Sequence, residues 1–143
     1  MAATYIDPHR LRVAAHELGH YLAWQDAGIT PAAIVVEGYG EEAHGHVETG
    51  RTRLTTTEQA SAYLVGLLAG REAELIWCTK YGLRYHPHTF DTGDGPRFRK
   101  LRRHKLVRAI TDGEFQSGAQ RLVQGHWPRI ERLAPRLALR GHL

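Results

Sequence analysis

The chain has 143 residues, a formal net charge of +4, 42% hydrophobic and 24% charged residues, which suits one globular domain with a real core. No apolar run is long enough to span a bilayer and no secretory leader opens the chain, so the expectation is a cytoplasmic protein with no membrane role. The single Cys78 excludes an intrachain disulfide framework and a cysteine-rich zinc site.

The first predicted element is a helix from about Pro8 to Ala27. Asp7 reads as its N-cap, Pro8 as its first helical residue and Gly28 as its stop. It carries His16-Glu17-Leu18-Gly19-His20. Two histidines four apart lie one above the other on a helix and can reach one metal ion, while the glutamate beside the first can take a proton from a water that such an ion activates. Leu11, Ala15, Leu18 and Leu22 make one apolar stripe, and the histidines point nearly the opposite way beside Val13, Trp24 and Ala27. A helix apolar on both sides is buried between other elements, which puts the histidines in a covered cleft. The plain alternative is a pair of hydrogen-bonded histidines with a charged neighbour.

Residues Ala33 to Tyr39 read as a strand and Ala43 to Thr49 as its return, joined through Gly40, Glu41 and Glu42. His44 and His46 share one face of the second strand; as surface residues of an edge strand they need no further role, though they could be ligands or touch substrate. A capping signal at Thr55-Thr56-Thr57-Glu58 opens a helix from about Thr57 to Trp77. Its Leu64, Leu67, Leu68 and Leu75 form one stripe, and Ala62, Gly66, Ala69, Gly70 and Ala73 form a face of small residues only. Glycine inside a helix costs about 1 kcal/mol relative to alanine, so two on one face predict the close approach of another helix, the first being the natural candidate. Glu74 sits at the edge of that face, where it could look toward the metal.

Tyr81 to Pro96 reads as a long functional loop, and Asp94-Gly95-Pro96 as the start of a third helix reaching about Ile110. That helix holds Arg97, Arg99, Lys100, Arg102, Arg103, Lys105 and Arg108. With no recognition helix, stacking series or zinc-finger spacing beside it, the cluster reads as a solvated helix face more than a nucleic-acid footprint. Glu114 to Gly125 and Trp127 to Leu139 read as a final helical pair parted near Gly125-His126, with Ile130, Leu133 and Leu137 on the apolar face of the last helix and a kink at Pro135.

Catalytic zinc takes three protein ligands and leaves a position for water. The sequence offers Glu72, Glu74, Asp91, Asp94, His86 and His88 as the third. The order of elements resembles the peptidase domain of the membrane-anchored AAA proteases of the FtsH type, and small phage and bacterial proteins similar to that domain alone. Ala15-His16-Glu17-Leu18-Gly19-His20, the Ile34-Val35-Val36 strand with its hairpin, Leu68-Ala69-Gly70-Arg71-Glu72-Ala73-Glu74 and an Asp-bearing helix start carry the resemblance, with Ala119 to Leu139 similar to the C-terminal helical pair. It covers most of the chain from Leu11 onward.

The resemblance implies a single α+β, mainly helical, zincin-like metallopeptidase domain over residues 1–143. It implies His16 and His20 as zinc ligands and Glu17 as general base. Thr92-Gly93-Asp94 fits the family's third-ligand turn, with Asp94 as ligand, Asp91 as rival and an N-cap role as the alternative; the run here departs from the family's longer Gly-Ala-Ser-Asn-Asp kind. Glu74 would orient a histidine from behind or form an ordinary salt bridge with an arginine. The expected activity is cleavage of unstructured or partner-delivered polypeptides, added as an extra strand to the hairpin edge, without ATP, since no phosphate loop accompanies the domain, and with ring assembly lost or kept only as a weak oligomer. Another divalent metal could occupy such a site. A different class remains open: a non-catalytic zinc-containing scaffold, or a nucleic-acid-binding regulator using the segment Arg97 to Arg108. An intact Glu17 argues against it, because metal binding alone does not need that carboxylate.

Overall fold

The computed structural model describes residues 4–50, 53–87, 90 and 93–143. The fold is α+β and mainly helical, with one two-stranded antiparallel sheet. Helix α1 (Pro8–Asp26) starts where its signals predict: Asp7 accepts a hydrogen bond from the His9 N–H at 2.8 Å, Pro8 opens the first turn, and Gly28 follows the C-cap with φ 76°. The other Asp7 oxygen accepts from the Gly40 N–H at 2.7 Å, tying the helix start to the hairpin.

Strands β1 (Ala33–Glu37) and β2 (His44–Glu48) pair with Val35 opposite His46 and Val36 opposite Gly45, joined by a short 3₁₀ turn over Gly40–Glu42. Ile34 and Val36 are buried, and the chain's C-terminal end covers the outer side of β1, where the Val36 N–H donates to the Gly141 carbonyl at 2.8 Å. Among the described residues no strand pairs with the other edge of β2. His44 and His46 stand on the exposed face beside Glu37 and Glu48, and neither joins the buried ligand group.

Helix α2 (Thr57–Tyr81) begins in a capping box of Thr56 and Gln59 and ends at left-handed Gly82. It runs a turn beyond the expected Trp77 because that turn buries Cys78 and sets Tyr81 against Trp77, which also packs on Trp127. The small face of α2 meets α1 as expected. A Cβ on Gly66 would lie 2.0 Å from Trp24 Nε1, one on Gly70 2.3 Å from His20 Nε2, and one on Gly19 2.4 Å from the Ala69 carbonyl oxygen. No larger residue fits at these positions, which explains glycine inside both helices.

Two expectations are corrected. Helix α3 (Asp94–Arg102) stops well short of Ile110. Beyond it the chain turns: the His104 ring nitrogen accepts from the Leu106 N–H, the Arg102 guanidinium donates to the Val107 carbonyl, and Val107 is fully buried. Tight backbone turns (His104 N–H to the Leu101 carbonyl, Val107 N–H to the His104 carbonyl), together with these side-chain bonds, take the place of a continued helix. The C-terminal pair is instead one helix, α4 (Asp112–Arg140), unbroken at Gly125-His126 and containing both Pro128 and Pro135. Its buried residues Phe115, Ala119, Val123, Ile130, Ala134 and Leu137 form one stripe across the supposed break, and burying that stripe outweighs the backbone bonds that proline and glycine weaken. None of the helices in the described residues is long and apolar enough to cross a membrane.

Candidate metal centre

Packing α1 against α2, with the start of α3 across them, brings three ligand-type atoms together. His16 Nε2 lies 3.0 Å and His20 Nε2 2.9 Å from Asp94 Oδ2, and the two nitrogens are 3.0 Å apart. Among the described residues this is the one group of three metal-ligating side chains converging on a point. The far nitrogen of each ring is held by a buried acceptor. His16 Nδ1–H donates to Glu74 Oε1 and His20 Nδ1–H to the Gly66 carbonyl, each at 2.7 Å. These bonds fix the tautomer, so both Nε2 lone pairs face the same place.

Glu74 plays both parts weighed for it. Its second oxygen accepts from Arg12 Nη1 at 2.8 Å, so one buried carboxylate orients a histidine and neutralises an arginine. Arg12 was not anticipated, although its place four residues before His16 on the same face was the available signal. The stack behind His20 was also missed. Trp24 lies parallel to the His20 ring at 5.1 Å and Tyr63 parallel to Trp24 at 5.4 Å, bracing one face of the imidazole.

Glu17 is 6% exposed and its carboxylate makes no hydrogen bond among the described residues. It faces a cleft of about 370 Å³ shared with His16, Glu74, His44 and Gly45. Strand β2 crosses directly above it: a Cβ on Gly45 would lie 2.9 Å from Glu17 Cγ and 3.1 Å from Val13 Cγ1. Glycine here lets the strand backbone approach the carboxylate.

Among the other third-ligand candidates, Glu72 is buried but turns toward the groove between α2 and α4, away from the centre. His86 lines the cleft without joining the three ligand atoms. His88 and Asp91 lie outside the described residues, as does Thr92 of the expected ligand turn.

The electrostatics have one dominant feature, a shortage of positive charge. With neutral imidazoles the centre holds one cation, Arg12, and three carboxylates, Glu17, Glu74 and Asp94, all buried or nearly so. That leaves two negative charges uncompensated, the complement of a divalent cation. The titration behaviour of the ion-free chain follows. Burial disfavours a charged His16, but its bonds to Asp94 and Glu74 override burial and hold its pKa well above the ordinary value. His20 is raised likewise, burial being overcome by the Asp94 charge. Asp94, despite its burial, is held far below the usual carboxylate range by His20 and His16, and Glu74 is also lowered, through His16 and Arg12. Glu17 moves the other way: burial raises it, and the two histidines only partly counter that. Protons on the imidazoles supply what a dication otherwise would. The donor set, two imidazoles and a carboxylate with fixed tautomers, fits zinc, and an octahedral oxygen-preferring ion much less well.

No protein-family model matches the chain, and no curated protein matches it.

Proposed function

We propose that the chain is a zinc-dependent endopeptidase with a zincin-like fold, of the kind its sequence resembles in the FtsH-type peptidase domain. One observation carries the reading: two tautomer-fixed histidines and Asp94 converge in a pocket short of two positive charges, with an unbonded buried carboxylate beside them. His16, His20 and Asp94 would hold the ion. When bound, zinc would lower the pKa of a water far below its bulk value, to about 7, and polarise a carbonyl.

The remaining work belongs to the chain's own groups. Glu17, its carboxylate engaged by no other residue among those described and its pKa raised by burial, accepts a proton from the attacking water and delivers it to the departing amine nitrogen. Glu74 and the Gly66 carbonyl keep both imidazoles aimed while charge develops. The open edge of β2 offers backbone groups to an extended polypeptide, and Gly45 lets that edge lie close over Glu17. An edge of this kind takes unfolded segments, so the substrates are unstructured or partner-delivered chains.

The test is cleavage of an unfolded protein such as casein by protein freed of metal and then given one equivalent of zinc. The reading requires activity to vanish with the metal and return with it. Zinc binding with no cleavage of any unfolded polypeptide would contradict it.

A further inference from the structure

Two separate concavities lie toward the two ends of β2, and they differ in charge. At the His44 end of β2 lies the space beside Glu17, where acidic and basic side chains are mixed. At the other end, Thr49 lies on a second groove, of about 680 Å³, floored by Leu54 and Tyr63 and rimmed by Arg97, Lys100 and Arg103. The groove is joined to the metal centre in three ways. Strand β2 leads from Gly45, above Glu17, to Glu48, and Thr49 follows directly. Helix α3 opens with Asp94 and presents Arg97 and Leu101 on the same face at the next two turns. Tyr63 stacks on Trp24, which stacks on His20.

The three rim cations are exposed, and none has an ion-pair partner among the described residues. Their neighbour Arg102 differs, turning from the groove to pair with Asp112. No carboxylate lines the groove. Unpaired like charges around a half-apolar concavity disfavour one another, and an anionic ligand relieves that repulsion.

We propose that this groove is a subsite of the peptide cleft that selects acidic side chains lying to one side of the scissile bond. The inference rests on the peptidase reading and adds a substrate class to it. From Gly45 to Thr49 is about 13 Å at roughly 3.3 Å per strand residue, so a chain paired with β2 brings side chains about four residues from the cut into the groove, at alternate positions. Polypeptide is favoured over nucleic acid because the groove continues a strand edge, which pairs with peptide backbone. Of the two rings lining it, Tyr63 is already stacked on Trp24 and only His104 remains, which makes no series of faces for bases.

The experiment uses zinc-loaded protein and unstructured peptides whose cleavage site is first located by mass spectrometry. Glutamate is then compared with glutamine at each position two to six residues from the cut. Glutamate should raise kcat/KM about fivefold at one or two alternate positions on one side only, an advantage that shrinks with added salt. In the variant Arg97→Glu/Lys100→Glu/Arg103→Glu the preference should invert toward lysine over glutamine. In Lys105→Glu/Arg108→Glu, which alters the same basic segment outside the groove, the glutamate preference should persist. Equal rates for both peptides, or a preference that survives reversal of the rim charges, would overturn the proposal while leaving the peptidase reading intact.

Binding of fluorescent glutamate and glutamine peptides to the zinc-loaded Glu17→Gln protein separates the two claims. Tighter binding of the glutamate peptide, lost on reversal of the rim, supports the groove even if wild-type protein cuts nothing, in which case it is the peptidase reading that falls. Tighter binding of single-stranded DNA than of the glutamate peptide at equal salt, lost with the same rim cations, would make the groove a nucleic-acid site and overturn the proposal.

Discussion

Asp94 and Arg97 stand one turn apart on α3, and the fold treats their charges in opposite ways. Asp94 points into the protein, 22% exposed, where it meets His16 and His20. Arg97 is exposed beside Lys100 and Arg103, without an ion-pair partner among the described residues, on a groove that no carboxylate lines. Around the candidate centre Asp94, Glu74 and Arg12 each meet a named partner, since an unmatched buried charge costs several kcal/mol at low dielectric, and Glu17 is the exception there. Away from the centre, Glu72 Oε1 is also buried without a hydrogen bond among the described residues. Outside, water screens the cations and the chain tolerates them unpaired. The exceptions on both sides carry the two proposals: the Glu17 carboxylate left without a hydrogen bond beside the centre, and an exposed cation cluster left without an anion.

The contrast predicts the sizes of mutational effects. The largest belongs to Asp94→Ala. Removing a ligand atom should weaken zinc binding by more than the roughly 10- to 100-fold typical of an outer partner, measured by competition with a chelating dye. Unaltered affinity would remove Asp94 from the centre. Next comes Glu74→Gln, which should lower zinc affinity by about 10- to 100-fold and destabilise the ion-free chain by about 3 kcal/mol in urea, because Arg12 is left buried without its carboxylate. A loss of stability with full zinc affinity would make Glu74 a salt-bridge residue only.

The pH dependence is subtler. In the ion-free chain the raised His16 and His20 values favour folding while the rings are protonated; that contribution is complete below about 6.5 and is lost as pH climbs through the raised values. Zinc needs neutral imidazoles and displaces those protons. The rise in Tm on adding zinc should therefore grow between about pH 6 and about pH 8, and a flat response would show that the rings carry no such protons. The smallest effect is expected outside. Lys105→Glu/Arg108→Glu should change unfolding free energy by no more than about 0.5 kcal/mol per site, and a larger loss would mean that the segment is not a solvated surface.

Much of the interior was legible because it is governed by local rules. The Asp7-Pro8 and Gly28 signals bound α1 nearly to the residue, and the glycines on α2 announced the close approach that sets His20 against Gly70. Asp94 stands with the two histidines because it opens a helix that crosses their face, where the Asp-Gly-Pro sequence foretold a helix start. What escaped was set by tertiary contacts. The stop of α3 depends on His104 and Arg102 bonding to the backbone beyond it, and the continuity of α4 through Gly125 and Pro128 depends on a stripe that pays off only when packed on α1 and α2. Trp24 reads from sequence only as an apolar residue and Arg12 is not singled out, because the partners of both, Tyr63 and Glu74, come from another helix.

The central claim is that the buried cluster is a zinc site at which Glu17 moves a proton. The most direct test is zinc content and casein cleavage measured together on wild-type protein and on Glu17→Gln. About one zinc per chain in both, with cleavage falling about 10²- to 10⁴-fold in the variant, is the predicted result. No zinc in either protein, or equal cleavage by both, would contradict it.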